Sequence, residues 1–134
     1  MIFIDTGYLL ALVSPRDALH SRAQAWAGVA TEPLIVTEYV LWETVNALSM
    51  PLDRPKAHAI IARLRAATDC EIIAASGELL ENGLQLHAQR PDKEWSLTDC
   101  ISFLVMEQRG LRRALTPDHH FEQAGFEALL RRDP

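Results

Sequence analysis

Four carboxylates dominate any chemical reading of this 134-residue chain: Asp5, Glu43, Asp99 and Asp118. Asp5 directly follows the apolar run Ile2-Phe3-Ile4, and Asp118 follows Arg113–Thr116 after Pro117. Asp99 falls in the first turn of the apolar stretch Ser96–Arg109, and Glu43 is enclosed by Tyr39-Val40-Leu41-Trp42 and by Val45, Ala47 and Leu48. A helix apolar around most of its circumference is expected to be buried, where a carboxylate is costly unless paired or bound to metal. Few basic residues stand near these acids in sequence to neutralise them. Clustered carboxylates also repel one another, so without a partner some must take up protons. A divalent cation answers both problems. Oxygen-only donors without a Cys or His ligand pattern select hard ions, Mg²⁺ or Mn²⁺. Two such ions about 3.5–4 Å apart stabilise the attacking and leaving oxygens of an in-line phosphoryl displacement. The chemistry suggested is metal-dependent phosphodiester hydrolysis.

Each acid alone has a simpler use. Asp5 can cap a helix starting near Gly7, Asp118 can cap His119–Gln123, and Ser96-Leu97-Thr98-Asp99 has the form of a capping box. Only their convergence distinguishes the readings, and that depends on the elements that carry them. Ile2–Ile4, Leu34–Val36, Cys70–Ala74 and Arg113–Thr116 are short apolar runs expected to form buried strands, with Phe126–Leu130 a fifth. Helices are expected over Gly7–Val13, Arg16–Ala27, Glu38–Ser49 (capped by Thr37), Arg54–Thr68, Ser76–Gln89 and Ser96–Arg109, the last stopped by Gly110. Strands alternating with helices imply right-handed crossovers and a parallel sheet covered on both faces. In such sheets the functional crevice lies beyond the carboxyl ends of the strands, where Asp5 and Asp118 both emerge.

Ile-Phe-Ile-Asp-Thr at the start, the helical Glu43, Ser-Leu-Thr-Asp at 96–99 and Leu-Thr-Pro-Asp-His-His-Phe at 115–121 together resemble a PIN domain. The likeness is strongest to the small single-domain toxins of VapBC-type toxin–antitoxin pairs, and it spans essentially the whole chain, 1–134, as one domain. The resemblance implies an α/β fold, a three-layer α/β/α sandwich on a roughly five-stranded parallel sheet, and Mg²⁺- or Mn²⁺-dependent ribonuclease activity. Carried over by position, Asp5, Glu43 and Asp99 match the family's metal-binding acids, and Asp118 matches a fourth, more variable one. Thr6 and Thr116 match hydroxyl positions that orient the acids or a water on the ion. The resemblance further implies an RNA substrate, a homodimer and a small antitoxin that occludes the site. Pro117 departs from the pattern, since its rigid backbone can re-aim Asp118. His120 and Phe121 are expected to pack the terminal helix rather than to act.

Composition excludes other classes. Eighteen Asp plus Glu against thirteen Lys plus Arg give a net charge of −5, which argues against passive binding of long nucleic acid. Eleven of the thirteen basic residues are Arg; among them Arg109, Arg112 and Arg113 could meet phosphate or simply form a solvated helix end. Cys70 and Cys100 lack metal-ligand spacing and are expected to be reduced structural thiols. No apolar run approaches membrane-spanning length and no basic leader precedes Met1-Ile2-Phe3, so a cytoplasmic protein is expected. Asp5-Thr6-Gly7 is also the aspartic-protease triplet, but here it opens a helix in an α/β chain. A phosphoacceptor receiver domain would need a Lys near the last strand, and the only lysines are Lys56 and Lys93. The alternative to a nuclease is a catalytically inactive PIN-like binding or scaffold module, whose expected mark, a missing acid, is not found.

Overall fold

The structure, a computed structural model, describes residues 1–134, and its strands are the short apolar runs of the sequence. They are β1 (Ile2–Ile4), β2 (Leu34–Thr37), β3 (Cys70–Ile73), β4 (Arg113–Leu115) and β5 (Glu127–Ala128), all parallel, in the order β3-β2-β1-β4-β5. The helices are α1 (Thr6–Val13), α2 (His20–Val29), α3 (Glu38–Ala47), α4 (Arg54–Ala66), α5 (Gly77–Gln89), α6 (Leu97–Gln108) and α7 (His119–Gln123). From β1 to β3 the chain steps one way across the sheet; from β3 to β5 it steps back. Right-handed crossovers therefore place α1–α4 on one face and α5–α7 on the other. The expected three-layer α/β sandwich with a five-stranded parallel sheet is the observed fold.

The core fills both sides of the central strand. Ile2, Phe3 and Ile4 are essentially inaccessible, as expected of a parallel strand covered on both faces. On the α5–α7 side, Phe103 stacks edge-on against Phe121 with centroids 4.9 Å apart and against Trp95 at 5.0 Å. This aromatic cluster fixes α6 and α7, two carriers of functional side chains, against each other.

Several boundaries differ from expectation, most by one or two residues, and three shifts have a visible cause. The second helix begins at His20, not Arg16, because Pro15 and Asp17 build a turn in which Asp17 Oδ1 accepts the Leu19 N–H at 2.8 Å. The third ends at Ala47, with the Ser49 hydroxyl donating back to the Val45 carbonyl instead of continuing the helix. The fifth strand is only Glu127–Ala128, paired with Arg113 and Ala114. Its partner β4 ends at Leu115, so Leu129–Arg131 turn into a 3₁₀ helix while Leu130 N–H donates to Thr116 O at 3.1 Å. The third helix is also less enclosed than its composition suggested: Trp42 is 67% exposed and Glu43 is half-buried. Its apolar side chains point to two opposite faces, and only the Val40–Leu41–Thr44 face meets the core.

Candidate active site

β1 is the strand at which the sheet order reverses, since β2 and β4 flank it. Such a switch point opens a crevice beyond the strand ends. Asp5 stands at that point, its N–H donating to Leu115 O at 3.2 Å across to β4. The Thr116 hydroxyl, fully buried, donates to Asp5 Oδ2 at 2.8 Å and in turn accepts the Asp118 N–H at 3.1 Å. One threonine thus couples the acid after β1 to the acid after β4. Pro117 packs on Gly7 and leaves Asp118 in the cleft, so the proline does not turn the fourth acid away.

Asp99 arrives from the opposite face. Its side chain closes the capping box of α6: Oδ2 accepts the Ser96 N–H at 3.1 Å while Ser96 Oγ accepts the Asp99 N–H at 3.0 Å. The capping and cleft-lining positions, alternatives in the sequence, are the same position in the fold. Glu43 comes from α3 beside β2. All four acids line one cleft of about 670 Å³ together with Thr6, Glu94, Ser96, His119 and His120. A larger cavity of about 810 Å³ lies among α1, α2 and α4, but its lining is apolar apart from Gln24, Arg63 and Asp69, and it holds no cluster of acids.

Electrostatics in the cleft are strained in one direction. Asp5 is 6% exposed, and burial, reinforced by the charges of Asp99 and Glu43, pushes its carboxyl up to about 7 against the lowering bond from Thr116. Asp99 is also raised, chiefly by burial and further by Asp118, with the Ser96 N–H and His120 pulling it down. No Lys or Arg lines the cleft. The Thr6 hydroxyl is buried at its edge without a hydrogen-bond partner. A dense set of hard oxygen donors without a protein cation fits a hard divalent ion. Asp5, Glu43, Asp99 and Asp118 are the candidate oxygen donors that line the cleft.

Two side chains gain a place that the sequence did not assign them. His120 is not simply packing α7: its Nδ1 lies 3.2 Å from Asp99 Oδ2 and 3.3 Å from Asp118 Oδ1. It packs at the end of α7 while Phe121, its neighbour, takes the core position. The signal available was the Asp-His-His run itself, because Asp118 Oδ1 caps the His120 N–H at 2.8 Å and so turns the ring back over the acid. Glu94 reaches the rim because Trp95 beside it is anchored, 6% exposed, with its indole N–H on Gln123 Oε1 at 3.0 Å. Nothing in the local sequence marks Glu94. By contrast Arg109 pairs with Glu71 at 2.6 Å and Arg113 with Glu32 at 2.8 Å, at the end of the sheet away from the acids.

Comparison with known proteins agrees with this geometry. The chain is 31% identical over 128 residues to the 23S rRNA-specific endonuclease VapC20 of Mycobacterium tuberculosis, covering 94% of this chain and 95% of that protein. The crystal structure of VapC20, described as a sarcin-ricin loop cleaving toxin, superposes with a TM-score of 0.86 at 28% identity, covering 94% of this chain and 96% of that one. FitAcB from Neisseria gonorrhoeae shares the fold, with a TM-score of 0.66 at 20% identity over 96% and 95% of the two chains. The PIN domain family matches residues 2–127. A reversing parallel sheet with its acids gathered at the switch point and a family match over nearly the whole chain lead to one conclusion: this chain belongs to the PIN-domain family.

Proposed function

We propose that the protein is a divalent-metal-dependent endoribonuclease, the toxin of a toxin–antitoxin pair. The observation that carries this reading is the convergence of Asp5, Glu43, Asp99 and Asp118, from four separate elements, on one cleft without a Lys or Arg. Likeness to VapC20 over 94% of the chain supports RNA as the substrate, with the sarcin–ricin loop of 23S rRNA the first to test, and a cognate antitoxin as partner. A homodimer is part of the proposal on family grounds. No helix of the structure is long and apolar enough to cross a membrane.

When bound, Mg²⁺ or Mn²⁺ supplies Lewis-acid stabilisation of charge on the scissile phosphate and its leaving oxygen. The protein's part is positioning. Thr116 holds Asp5 Oδ2, and the Ser96 N–H with His120 holds Asp99 Oδ2, so two donors are locked before any ligand arrives. Asp118 is fixed through Thr116 and through its cap on α7. The α6 N-terminus adds its partial positive charge beside Asp99, which favours the ionised form that a cation needs.

The test is cleavage of 23S rRNA fragments and unrelated structured RNA by purified protein in Mn²⁺, Mg²⁺ or EDTA, with Asp5→Asn alongside. Cutting that requires the ion and falls at least ~100-fold in the variant is expected, since one lost metal-holding or charge-stabilising group commonly costs that much. Equal cutting by both proteins, or cutting in EDTA, would overturn the reading.

A further inference from the structure

The acids of the cleft are oxygen donors, but its rim is not uniformly so. Asp118 Oδ1 stands 3.6 Å from His119 Nδ1 and 3.3 Å from His120 Nδ1, and His120 Nδ1 stands 3.2 Å from Asp99 Oδ2. One ligand atom from each of Asp118, His119 and His120 lies within 4.8 Å of the others. For a tetrahedral ion with bonds of about 2.0–2.1 Å, the ligand-to-ligand edge is about 3.3–3.4 Å. The successive distances from Asp99 through His120 and Asp118 to His119 are close to that edge. The two imidazole rings lie with centroids 4.5 Å apart and planes tilted by 49°.

We propose that Asp118, His119 and His120, with Asp99 at their edge, form a metal site at the cleft rim for a borderline transition ion of the Zn²⁺ or Co²⁺ class, overlapping the proposed hard-ion site through Asp118 and Asp99. Two imidazole nitrogens select such ions over Mg²⁺, which prefers oxygen and water. Binding forms two metal–nitrogen and one or two metal–oxygen bonds, and any ring proton displaced from the ligating nitrogens leaves to solvent. The ligands are prepared for it. Asp118 Oδ1 is oriented by the His120 N–H, and His119 is 57% exposed, leaving an open path for the ion. Arg131, which reaches Pro117 O, is paired with Glu122 at 2.8 Å and brings no free cation to the cluster. Occupancy draws Asp118 out of the four-acid set, so such an ion opposes Mg²⁺- or Mn²⁺-supported cleavage.

The inference rests on Asp118 belonging to the acid cluster, but it is read out without catalysis. Co²⁺ is titrated into the metal-free, full-length protein and its d–d absorption followed, because these bands intensify in four-coordinate nitrogen–oxygen geometry. Zn²⁺ competition then gives the affinity. Intensified bands are expected in the wild type and in Asp5→Asn, with Zn²⁺ affinity at least ~10-fold weaker in His119→Ala and His119→Gln. Weak octahedral bands in the wild type, or equal affinity in the His119 variants, would overturn the site. So would loss of the bands in Asp5→Asn, which would place the ion among the acids. Failure of RNA cleavage with intact Co²⁺ bands would count against the nuclease reading alone.

Discussion

Asp5 has lost nearly all its water, and its one strong compensating bond comes from Thr116. Its carboxyl is raised from 3.8 to about 7, with burial as the largest cause. Between those values the folded, metal-free protein holds a proton that the unfolded chain has released. Folded-state proton binding then exceeds unfolded-state binding, so stability falls as pH rises through this window and levels off above about 7. The upward shift of Asp99 acts in the same direction. Thermal melts in EDTA between pH 4 and 8 should show a decline worth a few kcal/mol. Asp5→Asn should flatten much of it and be the more stable protein at pH 8. A wild-type melt that rises through the window, or one that Asp5→Asn leaves unaltered, would contradict this account. The Asp99 carboxylate both closes the capping box and lines the cleft.

At the level of elements, the site depends on how closely α1 approaches the turn after β4. A Cβ at Gly7 would lie 2.7 Å from Pro117 Cδ, so any side chain there must force α1 and the Pro117 turn apart. That movement separates Asp5, just before α1, from Asp118, just after Pro117. Gly7→Ala should cost about 1–3 kcal/mol of stability, and a misplacement of this kind should slow cleavage by roughly 100-fold. Gly28 in α2 is the matching control, with open space where its Cβ would stand. Gly28→Ala should stabilise by about 0.5–1 kcal/mol through helix propensity and leave the rate unaltered. Denaturant melts and cleavage rates on both variants check the pair; equal behaviour would remove Gly7 from the argument. The strands and capped helices were legible in the sequence because local patterns encode them: Thr37 caps as expected and Ser76 caps likewise, each accepting an N–H three residues on. The start of α2 and the end of β5 were not. The first hangs on one Asp17 side-chain bond, and the second on where a neighbouring strand stops.

For the whole molecule, folding brings like charges together at the edge of the sheet, and the proposed cation would offset that cost. An ion held only by the folded state stabilises it by about 2.7 kcal/mol at one hundred times its dissociation constant. The melting temperature at pH 8 should therefore rise by roughly 10 °C in Mn²⁺, and by much less in Asp5→Asn. Calorimetry with and without the ion measures this, and an unchanged wild-type melting temperature would mean that the acids hold no cation in the native state. What the sequence by itself determined was the fold class and the order of elements, and it singled out Asp5, Glu43, Asp99 and Asp118 as candidate acids, because apolar runs, caps and acids after strands are local features. Tertiary structure decided the rest. It exposed Trp42 on a helix expected to be enclosed, brought Glu94 to the rim, paired Arg109 and Arg113 with carboxylates far from the cleft, and turned His120 between two acids. Each of these depends on which face of an element meets another element. No run of neighbouring residues specifies that for Trp42, Glu94 or the arginines; for His120 the local Asp118 cap turns the ring, and the packing of α6 and α7 around Phe103 and Phe121 sets Asp99 beside it.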